Sequence, residues 1–232
     1  MNVLRGLLAP LPLLGVMAGL LLLTAGMFGG VWTWPRAWVF LAVTGLASAV
    51  ASALLAVFRP ASFQVRQQPF VASREKRQPL IDALGLLFYV ACLAAWLAFI
   101  PIDVFRLKLL PPPGAAVVTA GAGMALAGLA FSYLAIAQNR YAAPTIHQQA
   151  GQRLIDTGLY AVVRHPFYAG MLLVYAGTAL WLGSYAAAVA STAFLVMTLA
   201  RIVIEEAHLR RALPGYGAYA RRVRGRLIPF LL

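Results

Sequence analysis

The chain has 232 residues, 62% of them hydrophobic and only 11% charged, whereas soluble domains run at roughly 45–50% apolar and 25% charged. That composition excludes an ordinary water-soluble globule. A single cysteine, Cys92, excludes an intrachain disulfide, and no Cys/His pair has zinc-ligand spacing, so neither crosslinks nor a metal are expected to organise the fold. The formal net charge of +13 sits beside apolar runs and not in a basic domain, which marks a membrane surface and argues against nucleic acid.

Taken in chain order, apolar segments occupy 11–31, 37–58, 80–100, 114–136, 167–182 and 185–204. Most approach the roughly 20 residues that cross a hydrocarbon core, and in lipid each must be helical because only a helix satisfies its own backbone. Arg5 and the leucine-rich run after it resemble a secretory signal, but the run is long and lacks an Ala-x-Ala site, so a retained first span is expected. Gly29-Gly30, Pro35, Pro60, Pro101 and Pro111-Pro112-Pro113 punctuate the segments. Trp32, Trp34 and Trp38 read as an interfacial aromatic belt. Asp82 reads as a helix-dipole partner. Asp103, Arg106 and Lys108 read as a solvated loop, and GAGMALAGLA at 121–130 as a close-packing face.

The fold expected is therefore all-α and integral to the membrane, with about six transmembrane helices. The fifth is weak, since 16 residues rise roughly 24 Å against a core of about 30 Å, and it pairs with the sixth as a hairpin through Gly183-Ser184. Residues 1–136 would carry the first four helices, and 137–232 a loop, the hairpin and a C-terminal segment, within one membrane domain. With both termini inside, only Arg36, Arg106 and Lys108 among the basic residues fall outside. The positive-inside rule thus predicts cytoplasmic termini and a cytoplasmic site, in a composition that points to a bacterial inner membrane.

Polar residues are costly in such a chain and concentrate in two stretches, Gln138 to His165 and Arg201 to Arg226. Pro166 suits a first helical position and holds His165 out of helical geometry, so Arg164 and His165 stand at a helix N-terminus that favours an anion. Lipid anchoring by Arg164 and capping by His165 would explain the same residues. Arg201, Glu205 and His208 are spaced i, i+4, i+7 and share one face, with Glu206 turned to another. A plain Arg201–Glu205 ion pair is the simpler account; an acidic pair after a nearly uncharged span also suits a cationic ligand.

Three stretches, LIDTGLYAVVRHPFYAG, EEAHL and PGYGAYARRVRGRLIP, lie in that order within residues 145–229. The combination resembles the isoprenylcysteine carboxyl methyltransferase family and the related phospholipid methyltransferases, integral membrane enzymes that use S-adenosylmethionine. The resemblance implies a cofactor pocket formed by the loop before the fifth helix and the C-terminal segment. Its wall would hold Gln149, Gln152, Arg153, Leu154, Ile155, Tyr160, Arg164, His165, Pro166, Phe167 and Tyr168, with Glu205 addressing the cofactor. Arg201 would face the acceptor, making Arg201 and Glu205 the catalytic pair. Two departures stand out. Gln152 replaces a histidine common in the family, and Pro214-Gly215-Tyr216 is one residue shorter than the usual Gly-x-x-Tyr, which leaves Glu206 as an alternative register. The implied partner is a lipid or other lipophilic acceptor, with no protein partner called for. An NADPH-dependent membrane reductase of the sterol-reductase type and a non-enzymatic transporter or scaffold are the competing functions.

Overall fold

The computed structural model describes residues 2–30, 32–67, 80–142 and 151–229, and among these every regular element is helical. Helices α1 (Asn2–Leu8) and α2 (Leu11–Gly26) follow one another across a break at Ala9-Pro10 and act as one apolar span, Val3–Gly26. Then come α3 (Pro35–Phe58), the short α4 (Pro60–Arg66), α5 (Leu80–Ile102) and α6 (Ala115–Gln138). The C-terminal third holds α7 (Pro166–Leu182), α8 (Tyr185–Ala190), α9 (Thr192–Ala212) and α10 (Tyr216–Arg222).

Among the described residues, five helical spans are long and apolar enough to cross a membrane: Val3–Gly26, Pro35–Phe58, Leu84–Leu107, Ala115–Gln138 and Tyr185–Ala212. α7 is not among them. Its 17 residues rise about 25 Å at 1.5 Å each, short of a hydrocarbon core of about 30 Å. Large apolar side chains such as Leu23, Leu46, Phe88 and Val196 are exposed on these spans. In water such a surface would drive association; against acyl chains it is the expected exterior of an integral membrane protein.

α6 and α7 pack backbone to backbone. A Cβ built on Gly128 would lie 2.6 Å from the Gly170 carbonyl oxygen, and one on Gly177 would lie 2.5 Å from the Ala125 nitrogen. Small residues at 121, 125, 128 and 132 of α6 therefore form one stripe at helical spacing, the geometry that lets membrane helices approach closely. Gly128→Leu is expected to force the pair apart and cost about 1–3 kcal/mol, read as a lower melting temperature in detergent; Gly123→Leu, where a Cβ meets nothing within 4 Å, serves as the control. At its far end α7 stops on Gly183, whose φ of +99° is a left-handed conformation that costs glycine little.

Three expectations for the far end are corrected. Asp103 is buried at 3% exposure; it accepts hydrogen bonds from the Ser184 hydroxyl at 2.6 Å and the Leu109 amide at 3.0 Å, so it ties the end of α5 to the α7–α8 turn instead of sitting in a solvated loop. Pro101 does not end its helix: α5 runs to Ile102 and passes into a π turn, Asp103–Leu107, a wider winding that accommodates a disturbed hydrogen-bond ladder. Trp34 is not part of an aromatic belt. It is buried edge-on against Phe105 at 5.3 Å, leaving the exposed Trp32 stacked on Trp38 at 5.9 Å. The expectation for Asp82 falls on a side chain outside the described residues.

Toward the middle of the bundle Tyr175 and Phe194 meet at 4.6 Å and Trp96 donates to the Ala187 carbonyl at 2.8 Å. At the opposite end from Asp103, Tyr168 at the start of α7 bonds Glu205 late in α9. These contacts run α7 and α9 in opposite directions and bring the loop before α7, the end of α9 and α10 together.

Candidate active site

At that end of the bundle lies a cavity of about 560 Å³, within the range of small-molecule sites. Polar side chains of the loop before α7 and of the end of α9 line part of it, and Phe88, Met171, Tyr175 and Met197 line it between α5, α7 and α9. Tyr89 and Tyr175 share a hydroxyl–hydroxyl hydrogen bond of 2.7 Å there.

Helical periodicity aims the first group of polar side chains. Arg201, Glu205 and His208 all line the cavity, and Glu206 does not, as the 100° step between neighbours on α9 requires. The Tyr168 hydroxyl sits between two of them, donating to Glu205 Oε2 at 2.8 Å and accepting from Arg201 Nε at 3.0 Å. The result is a cation, a phenol and a carboxylate in one hydrogen-bonded row along the wall.

Glu206 has another role. It is 3% exposed and receives Arg164 Nε at 2.7 Å and His165 Nε2 at 3.3 Å, with Arg226 Nε 3.6 Å away. Arg164 also donates to the carbonyls of Val223 at 2.5 Å and Arg224 at 2.8 Å. The backbone follows the same course, the amides of Arg164 and His165 bonding the carbonyls of Gly225 and Arg226. A strap from the C-terminal segment is thus stitched to the Arg-His-Pro motif, and the Arg164 guanidinium is spent on this joint even though the side chain reaches the cavity wall. Glu206 is accordingly not placed to act as a base on anything in the cavity.

Pro166 occupies the first position of α7, with His165 non-helical before it at φ −126° and ψ 60°. The His165 ring stacks on Tyr168 at 5.7 Å, and His165, Phe167 and Tyr168 line the cavity. Pro166 itself is fully buried off the wall, again because successive positions of a helix turn away from one another. Gln152, Arg153, Leu154, Ile155 and Tyr160 also line the cavity, while Gln149 lies outside the described residues. Leu154 packs on the Leu213, Tyr216 and Tyr219 cluster, and Tyr219 donates to the Tyr160 carbonyl at 2.8 Å, so α10 fixes this loop. Burial pushes the Tyr160 phenol up to about 12, leaving it a neutral donor at physiological pH.

Sequence reasoning missed Arg66, Tyr89, Tyr175 and Tyr216 on the wall. Among the described residues the buried Tyr216 hydroxyl has no hydrogen-bond partner, an orphan that a ligand group would satisfy. With the remaining lone pairs of Glu205, it gives the cavity groups suited to a ligand carrying both an ammonium and hydroxyls. Among the described residues no cluster of histidine, cysteine and carboxylates could hold a metal.

No curated protein and no solved structure matches the chain. Residues 115–215, less than half of the chain but the part that carries α6, α7, α9 and most of the cavity wall, match the model of the phospholipid methyltransferase family.

Proposed function

We propose that the protein is an S-adenosylmethionine-dependent methyltransferase whose acceptor is a lipophilic molecule presenting a carboxylate or an amine. The observation that carries this reading is the row of Arg201, Tyr168 and Glu205 along a cavity that both polar and apolar side chains line. Gln152 to Ile155, Tyr160, His165, Phe167 and Tyr168 would hold the cofactor's nucleoside, with Glu205 accepting from its ammonium group. When bound, S-adenosylmethionine supplies a methyl made electrophilic by the adjoining sulfonium.

The chain's own residues then need only align the partners. Proximity, orientation and exclusion of water are worth roughly 7–11 kcal/mol, and no enzyme nucleophile is required. Arg201 would clamp a carboxylate acceptor through paired hydrogen bonds; an amine acceptor would surrender its proton to His208 or to water. S-adenosylmethionine would supply the methyl to the acceptor oxygen or nitrogen and would be left as S-adenosylhomocysteine. The cavity opens at the end of the bundle that carries Arg59, Arg66, Arg140 and the arginine-rich stretch from Arg210 to Arg226, which by charge asymmetry is the cytoplasmic face of the membrane.

S-adenosylhomocysteine at a hundredfold excess over its Kd is expected to stabilise purified protein by about 2.7 kcal/mol, seen as a raised melting temperature, and NADPH is expected to leave it unchanged. Stabilisation by NADPH alone would identify a reductase and overturn the proposal.

A further inference from the structure

Arg66 ends α4, on the connection between α3 and α5, far in sequence from every other polar residue of the cavity. Its guanidinium carbon lies 4.2 Å from the centroid of the Phe167 ring, and the side chain lines the cavity. Among the described residues no carboxylate pairs with it, unlike Arg164, Arg210, Arg222 and Arg226. The phenols of Tyr168, Tyr160 and Tyr133 stand near it and oppose, without cancelling, the downward pull of burial on its pKa. A guanidinium keeps its charge and presents five donors in a planar fork. A ring face answers only part of that demand.

Resting on the methyltransferase reading, we propose that Arg66 is a binding residue that holds an anionic oxygen group, a carboxylate or a phosphate, of a molecule seated in the cavity, with Phe167 fixing the plane of the fork. Two sources carry that chemistry, the carboxylate of the cofactor and the headgroup of the acceptor, and α4 thereby joins the N-terminal helices to a site otherwise built from the C-terminal third.

The test uses full-length protein in neutral detergent, wild type beside Arg66→Gln and Arg66→Lys, with two probe pairs. S-adenosylhomocysteine is compared with its decarboxylated analogue, and dodecyl phosphate with dodecanol. Arg66→Gln is expected to weaken one anionic probe about 10–100-fold and to leave its neutral counterpart unchanged; which pair responds identifies the source. Arg66→Lys retains charge without the fork and is expected to fall between, and it carries the test if Arg66→Gln does not fold. Equal binding of both anionic probes by wild type and variants would overturn the inference while leaving the proposed function intact. Failure of wild type to bind S-adenosylhomocysteine, with dodecyl phosphate still held in an Arg66-dependent way, would remove the proposed function and leave Arg66 as an anion site.

Discussion

Glu206→Ala is expected to destabilise the protein by about 3–5 kcal/mol, because it strands the buried Arg164 and His165 without their acceptor. The cost comes from leaving a desolvated guanidinium uncompensated, so it exceeds anything an exposed pair could lose. Arg222 and Asp156 form such a pair at the surface of the same region, and Asp156→Asn is expected to cost under about 1 kcal/mol. Thermal melts of both variants in one detergent make the comparison. The double variant Arg164→Met/Glu206→Leu should lose clearly less than the two single losses added together, since no lone charge is left behind; strict additivity would mean that the joint is not one unit.

Tyr168→Phe is expected to lower turnover about 100-fold while shifting the melting temperature little. The phenol bridges Arg201 and Glu205, and a misplacement of about 1 Å in a positioning group costs on the order of a hundredfold. Glu205→Gln is expected to act on affinity as well, weakening S-adenosylhomocysteine because the carboxylate proposed to accept from its ammonium is replaced by a neutral amide. Radiolabelled methyl transfer to a lipid extract, beside equilibrium binding of S-adenosylhomocysteine, separates the two effects. Unchanged turnover in Tyr168→Phe with a large loss of stability would reduce the row to a structural brace.

How much of this was legible in the sequence depended on whether the determining contact was local. The shared face of Arg201, Glu205 and His208 follows from the helical repeat alone, and the close approach of α6 to α7 follows from a run of small residues. Asp103 was misread because its partner Ser184 is 81 positions away, and nothing in a loop-like run of charges announces a distant hydroxyl. Trp34 was grouped with its neighbours for the same reason, its burial being set by Phe105. Arg66 carries no sequence signal of its place in the cavity, since a residue at the end of a seven-residue helix has no periodicity to show which way it points. The length of α7 was readable, and it explains why charge counting favoured six crossings while only five spans reach full membrane length.

The seam between residues 164–165 and 225–226 carries a consequence for biogenesis. α6, α7 and α9 can enter the bilayer as the ribosome delivers them, yet the amides of Arg164 and His165 lack their carbonyl partners until translation has passed Arg226. A nascent chain arrested short of that point would be inserted and still inert. This timing would keep methyl-transfer chemistry silent until synthesis is nearly done, and graded C-terminal truncations, assayed for insertion and for activity in parallel, would show the two properties separating there.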